Sequence, residues 1–356
     1  MPSVSRVTLR RLKMPLITPY RLSYRTFEEF EPYLVEIEDS DGRTGFADAH
    51  ISPGSSSETR EGGWRFACEQ IEAILGLPVR TAKEAVLARF AESKAATTAL
   101  LSAIEVMERN ENLSVTQTAV LPLLVPVNAQ TAGEVAAEVE DLLAKGFATF
   151  KVKVGKDVEA DLHRVAAIQD AAGGRATLRL DANRAYTRDQ GIAFASRLRP
   201  EGVELFEQPC DSDDWDANAA VAAVSTVPLM LDEPICTLAD IERAATIGNV
   251  GYCKLKLKRF GGLDRLREGL DAVRAHGMKS VLGDGLGSEV QGWLEACIAT
   301  RTIDNAGEFN GFLKPHDRLF ENPLPFFDGA IRLPEGYWPR LDREAVERFT
   351  VQQRNF

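Results

Sequence analysis

TLRLD (177–181), VELFE (203–207) and PLMLD (228–232) decide the reading of this chain. Each is a short apolar run that stops on a carboxylate. A run of this length, rich in branched residues, reads as a strand buried on both faces. Working outward, the same form recurs as LLVPVN (123–128), TFKVK (149–153), GYCKLK (251–256), KSVLGD (279–284) and, more weakly, NAGEFN (305–310). The stretches between look helical. TAGE (131–134) and TRDQ (187–190) are capping boxes, and Leu263, Leu266, Leu270 and Val273 keep helical spacing up to Gly277. Lys153 to Asp181 spans 28 residues and Asp232 to Lys256 spans 24. One strand, one helix and two short loops need about that length. Repeated βα units give a parallel sheet with right-handed crossovers, and seven or eight of them favour closure. No Gly-rich phosphate fingerprint follows the first strand, which argues against a doubly wound open sheet. The expected fold class is α/β, a (β/α)8 TIM-type barrel.

The region before the barrel has another texture. Ser5–Leu12 alternates like a strand, and Tyr33–Glu38, the turn DSDG (39–42) and Arg43–Ala47 read as a hairpin. A Ser- and Gly-rich loop (50–63) precedes helices expected over 64–75, 82–93 and 95–109. The segment after the barrel has no clean period and is expected to wrap back. The boundaries expected are 1–118, 119–312 and 313–356. The chain has 356 residues with 42 basic and 53 acidic side chains, net charge −11. Nothing in that balance suggests a nucleic-acid surface, and no run of about 20 apolar residues suggests a membrane span. Five scattered cysteines and an opening without a secretory apolar core point to reduced thiols and a cytoplasmic protein.

In a barrel the C-terminal strand ends line one mouth. Read in order they are Lys153, Asp181, Glu207, Asp232 and Lys256. A lone strand-end Asp is more often a helix cap than a ligand; three acids in succession reverse that preference. Three oxygen donors suit a hard cation, magnesium first and manganese as its substitute. Zinc fits poorly, because His163, His276 and His316 lie off the strand ends. Glu233 competes with Asp232, and strand phase favours Asp232. Lys151 and Lys153, like Lys254 and Lys256, share one side of their strand. Such lysines either neutralise the acids or, crowded by other cations, lose a proton and serve as bases. With a cation at the acids, the expected chemistry is removal of the proton α to a carboxylate, through a metal-stabilised enediolate.

The elements FKVKVG (150–155), LRLDAN (178–183), LFEQP (205–209), MLDEP (230–234) and KLKLKRFGG (254–262), in this order, resemble the enolase superfamily. VLGDGLGS (281–288) lacks the His of the mandelate racemase subgroup, so the chain is most similar to the muconate lactonizing subgroup. The resemblance covers most of the chain. It implies a modified barrel with an N-terminal α+β capping domain completed by the C-terminal segment. It implies Asp181, Glu207 and Asp232 as magnesium ligands, Lys153 and Lys256 as the acid/base pair, and Lys151 as an auxiliary lysine. Asn183, Glu233 and Asp284 would stand beside the metal site. Lys254 fits less well than Lys256, which keeps the family's spacing to Gly262. Gly287 replaces a Glu common in the subgroup, with Asp284 or Glu289 as substitutes. Glu308 and Asn310 fall where dipeptide epimerases carry Asp-x-Asp, a hint of a nitrogen-bearing substrate.

Cap loops 15–30 and 48–63 would set specificity, with Tyr20, Arg21, Tyr24 and Phe27 as candidate contacts. His50 is expected to be solvated. A racemase or epimerase of an amino-acid-like or other small carboxylate ranks first, because only that reaction needs two bases. Syn-dehydration, as in o-succinylbenzoate synthases, and cycloisomerisation share its first half. Outside this class stand a catalytically silent binding barrel and a Schiff-base aldolase using Lys256. An even-numbered homo-oligomer is expected from the resemblance.

Overall fold

The computed structural model describes residues 1–21, 25–54 and 57–356. The chain begins with β1 (Val4–Leu12), the hairpin β2 (Met14–Arg21) and β3 (Thr26–Phe30), then β4 (Pro32–Asp39) and β5 (Thr44–His50). Helices α1 (Arg60–Ile74), α2 (Val79–Ala88) and α3 (Lys94–Met107) follow. β1, β4 and β5 form an antiparallel sheet against which α3 packs. Every α3 residue from Ala95 to Met107 is buried. Gly45 of β5 permits the approach, since a Cβ there would lie 2.2 Å from the Ala103 carbonyl. α1 starts earlier than its apolar spacing suggests, because Thr59 caps it by accepting from Gly62 N.

Then come β6 (Ala119–Pro122), β7 (Val125–Val127), α4 (Ala132–Ala144), β8 (Thr149–Lys153), α5 (Val158–Ala172), β9 (Thr177–Asp181) and α6 (Arg188–Ala195). β10 (Val203–Glu207), α7 (Trp215–Val224), β11 (Leu229–Leu231), α8 (Leu238–Ala245) and β12 (Val250–Leu255) continue the alternation. After a short α9 (Leu257–Phe260) come α10 (Leu263–Ala275), β13 (Lys279–Leu282) and α11 (Glu289–Thr302). β7 to β13 form one parallel sheet of seven strands, each beside its sequence neighbour. Both expected capping boxes are present, Thr131 with Glu134 and Thr187 with Gln190.

The eighth run is extended without forming a ladder. Glu308 N donates to Leu282 O at 2.8 Å, and Leu124 N donates to Gly307 O at 3.1 Å. These single bonds join the two edges of the curled sheet. Inside, strand alternation builds layers. Arg179 lies at the floor with no exposed surface; Leu205, Met230 and Val281 form an apolar layer; the charged strand ends lie above.

β14 (Phe326–Phe327), β15 (Ala330–Leu333), α12 (Arg343–Phe349) and β16 (Thr350–Asn355) complete the chain. β15 pairs with β6, and β16 pairs with β1 from Thr8–Asn355 to Leu12–Thr350. The last strand is thus the outer edge of the N-terminal sheet. Among the described residues no helix is long and apolar enough to cross a membrane.

Candidate active site

The strand ends open into a cavity of about 810 Å³ roofed by β2 and the loop after β5. Lys153, Asp181 and Glu207 stand side by side, because parallel pairing aligns Lys153 with Asp181 and Asp181 with Glu207. Asp232 follows β11 immediately. The chain turns sharply behind these acids. Asn183, Arg184 and Gln208 take positive φ of 44°, 68° and 37°, a conformation that costs free energy in non-glycine residues and gathers at functional sites. Backbone and side chain hold the turns in place. Arg184 N donates to Gln208 O at 2.9 Å, and the Gln208 Oε1 accepts from Asp232 N at 3.0 Å. These bonds tie the three acid-bearing ends to one another.

Lysines interleave with the acids. Lys151 Nζ lies 2.9 Å from Asp181 Oδ2 and 2.7 Å from Glu207 Oε2. Lys254 Nζ lies 2.9 Å from Glu207 Oε1 and 3.9 Å from Asp232 Oδ2. Both also hold Glu308. At one end of the row Lys153 Nζ contacts Asp181 Oδ2 at 2.5 Å and bonds Asn183 Oδ1. At the other, Lys256 Nζ contacts Asp232 Oδ2 at 3.0 Å, and Arg259 reaches Asp232 Oδ1 at 2.8 Å. The two outer amines meet the row from opposite ends.

Buried carboxylates on adjacent strand ends are the donor type of a hard cation. Their chemistry, on three successive strand ends, fits a divalent ion. Among the described residues, however, no three acids already converge at ligating distance. An ammonium bridges each neighbouring pair instead, because a buried carboxylate takes the nearest positive partner.

The charges set the proton affinities. Burial raises the Asp181 and Asp232 carboxyls, but the surrounding cations outweigh it and hold both below the ordinary range. Glu207 is pushed up to about 7, by burial and then by Asp181. Burial pushes Lys256 down, aided by Arg259 and Lys254 and opposed by Asp232. Lys151 goes the other way. Burial lowers it, yet Asp181, Glu207 and Glu308 outweigh burial and hold it well above the usual range. Burial is thus the main cause of the lowering at Lys256, with neighbouring cations assisting, and at Lys151 it is overruled by three acids.

Glu233 also faces the cavity, with Arg184 at 3.4 Å, and its Oε2 is buried with no hydrogen-bond partner among the described residues. Asp284 lines the cavity and pairs with Lys258 at 2.5 Å. Glu289 does not reach the site. It accepts from the backbone N–H groups of Leu319, Phe320 and Leu324 and fastens the C-terminal segment, so Asp284 is the only one of the two expected substitutes that faces the cavity. Tyr20, Arg21, Glu308 and Asn310 line the cavity. Tyr24 lies outside the described residues. Phe27 is buried against Phe30 and His50 rather than facing the cavity. His50 is not solvated. It is 1% exposed, wedged between these rings, and burial pushes its imidazole down to about 3.

Lys254, Arg259, Lys258 and Lys314 also line the cavity, beyond the residues the strand ends point to. Lys254 carried a signal, since its strand phase matches Lys256. Lys314 carried none, because it follows the irregular eighth segment.

The model of the family "Enolase C-terminal domain-like" matches residues 134–337. The chain is 28% identical to an L-Lys-D/L-Arg epimerase of Methylococcus capsulatus over 86% of this chain and 91% of that protein. It is 31% identical to muconate cycloisomerase 1 of Rhodococcus opacus over 63% of this chain and 62% of that protein. Among solved structures, the muconate lactonizing enzyme of Pseudomonas fluorescens complexed with muconolactone superposes with a TM-score of 0.88 at 20% identity, covering 98% of this chain and 99% of that one. A seven-stranded parallel barrel sheet with acids at three successive strand ends, matched by a family model over more than half the chain, places this protein in the enolase C-terminal domain-like family.

Proposed function

We propose that this protein is an isomerase, a divalent-cation-dependent racemase or epimerase that moves the proton α to the carboxylate of an amino-acid-like substrate. One observation carries the reading: Lys153 holds the Asp181 end of the acid row and Lys256 holds the Asp232 end, at 2.5 and 3.0 Å. The relatives named epimerase or cycloisomerase support it. Magnesium at Asp181, Glu207 and Asp232 would supply charge stabilisation at the substrate carboxylate as the α-proton leaves.

The chain's own residues move the proton. Lys153, with a side chain 40% exposed toward the cavity, removes it from one face. The C–H bond breaks, its electron pair passes into the carboxylate, and the Lys153 amine becomes an ammonium. Lys256 delivers a proton to the opposite face and inverts the centre. Burial lowers the affinity of Lys256 for its proton, which favours its release toward the opposite face. Asn183 and Asp181 orient Lys153, while Asp232 and Arg259 orient Lys256.

Deuterium exchange tests the proposal. With magnesium, a panel of N-acyl amino acids and dipeptides in D2O gives α-proton washout for at least one member. Washout stops on chelation and in Lys153→Ala plus Lys256→Ala. A wild type that exchanges nothing, or exchanges equally after chelation, contradicts it. Washout with retention, accompanied by loss of water, would identify a dehydratase.

A further inference from the structure

Lys256, Lys258 and Arg259 all line the cavity from one short element, α9, of which Lys256 is the N-terminal cap. Three cations so close repel one another. A four-residue helix makes too few bonds to hold its own place: Arg259 N donates to Lys256 O at 2.9 Å and Gly261 N to Leu257 O at 3.0 Å. What fixes the turn lies behind it. Glu295 of α11 accepts from Leu257 N at 3.2 Å. Glu105 of α3 accepts from Leu263 N at 2.7 Å and from Asp264 N at 3.4 Å. Neither acid lines the cavity.

Glu105 belongs to the N-terminal domain, and Gly261–Gly262 is where that domain meets the turn. Gly262 has an extended backbone, φ 166°, which any residue adopts, so conformation does not call for glycine there. Space does. A Cβ at Gly262 would lie 3.0 Å from both Glu105 carboxylate oxygens, and one at Gly261 would lie 2.8 Å from the Phe90 ring. Glu105 is buried, and the cation acting on it, Lys83, is paired instead with Glu108 and Asp264 at 3.0 and 3.6 Å. Burial therefore pushes its carboxyl up to about 7. A buried carboxyl with no cation bonded to it costs stability. What this one holds is the backbone N–H groups of the turn.

We propose that Glu105 is a positioning residue for Lys256, so that the N-terminal domain controls one of the two proton transfers through a turn it holds from behind. Glu295 fixes the turn one residue past Lys256, and Glu105 fixes it where α10 begins. Between these points the Lys256 amine is kept beside Asp232 and within reach of the reacting carbon. A displacement of about 1 Å there costs up to about 100-fold in rate. Lys153 lies outside this device. Its strand end is held by Arg164 of α5, whose Nη1 donates to Lys153 O at 2.9 Å. Loosening the turn therefore impairs transfer at one face of the substrate and spares the other. The inference rests on the proposed function only for the role of Lys256.

Two readouts on the full chain test it. Amide hydrogen exchange, read by mass spectrometry, needs no substrate. Glu105→Leu raises exchange over residues 257–264 and leaves β7 to β10 protected as in wild type; Glu105→Gln, which keeps an acceptor oxygen, raises it less. α-Proton washout in D2O with magnesium is then followed on each enantiomer of an N-acyl amino acid or dipeptide that exchanges, Lys256→Ala marking the enantiomer that Lys256 serves. For that enantiomer Glu105→Leu lowers kcat by about 10- to 100-fold and spares KM. The other enantiomer keeps its wild-type rate, and Glu105→Gln restores most of the loss. Gly262→Ala, which displaces the same carboxylate without removing it, gives the same one-sided loss. Equal losses on both enantiomers, no loss on either, or unchanged amide exchange over 257–264 overturns the inference. Should the wild type exchange no substrate, the reaction assignment falls and amide exchange alone decides whether Glu105 holds the turn: a rise confined to 257–264 sustains it, and no rise overturns it.

Discussion

Lys254 and Glu308 form a buried knot of charge at the barrel mouth. Lys254 is buried and holds Glu207 and Glu308 together, and Lys151 holds the same two acids from the opposite flank. Removing one partner of a buried pair leaves an uncompensated charge, at about 3–5 kcal/mol. Lys254→Met is therefore expected to lower the unfolding free energy by about that much in urea titration. Adding Glu308→Gln recovers part of the loss, because the two changes share one interaction. A second residue gives a pH signature. Glu295 is fully buried, its Oε2 unpartnered among the described residues, and burial followed by repulsion from Asp284 raises it to about 8. A carboxyl raised in the folded state favours folding at low pH, and that contribution fades as pH climbs from its unfolded value toward 8. Glu295→Gln should thus gain thermal stability relative to wild type between pH 5 and pH 8, by about 2–4 °C per kcal/mol recovered. A constant difference across that window contradicts it. The acids and Lys153 were legible in the sequence because each ends an apolar run. Lys254, Lys314 and the burial of His50 were not, because they depend on which side chains stand across the barrel or under the cap.

Among the elements, the parallel strands were legible, since a strand buried on both faces must be apolar along its length. The eighth segment was legible only weakly, and its structure explains why. It closes the barrel through isolated bonds at Gly307 and Glu308 and through a side chain from elsewhere. Arg179 of β9 donates from Nη1 to Ala306 O at 2.8 Å and from Nη2 to Asn305 Oδ1 at 3.1 Å, while its Nε pairs with Glu204 at 2.8 Å. This buried guanidinium ties the last segment to the barrel floor. Arg179→Met should destabilise by about 3 kcal/mol or more. It should also raise hydrogen exchange at Gly307 and Glu308 before the remaining strands, read by mass spectrometry. Uniform exchange would show that the segment is held by other means. The caps of α4 and α6 were readable because a capping box is local; that of α8, Thr237 with Asp240, has the less usual Asp at its third position and was overlooked.

At the scale of the whole molecule, the N-terminal sheet takes its outer strand from the last residues of the chain, and the cavity takes its roof from β2 and its floor from the barrel. The periodicity predicted the barrel; the closure of β16 on β1 came from contacts more than 300 residues apart and left no local trace beyond the aperiodic tail. A cation that binds the folded chain alone raises stability by about 2.7 kcal/mol at 100 times its Kd. Magnesium is expected to raise the Tm of the wild type and to leave that of Glu207→Gln nearly unchanged; equal shifts in both would place the ion elsewhere. The central claim is that two amines approach one carbon from opposing sides. Stereospecific exchange measures it most directly, with each enantiomer of a substrate incubated separately in D2O with Lys153→Ala and with Lys256→Ala. Mirror-image behaviour is expected, each variant exchanging one enantiomer and failing on the other. Loss of both enantiomers' exchange in only one variant, with the other fully active on both, would contradict it.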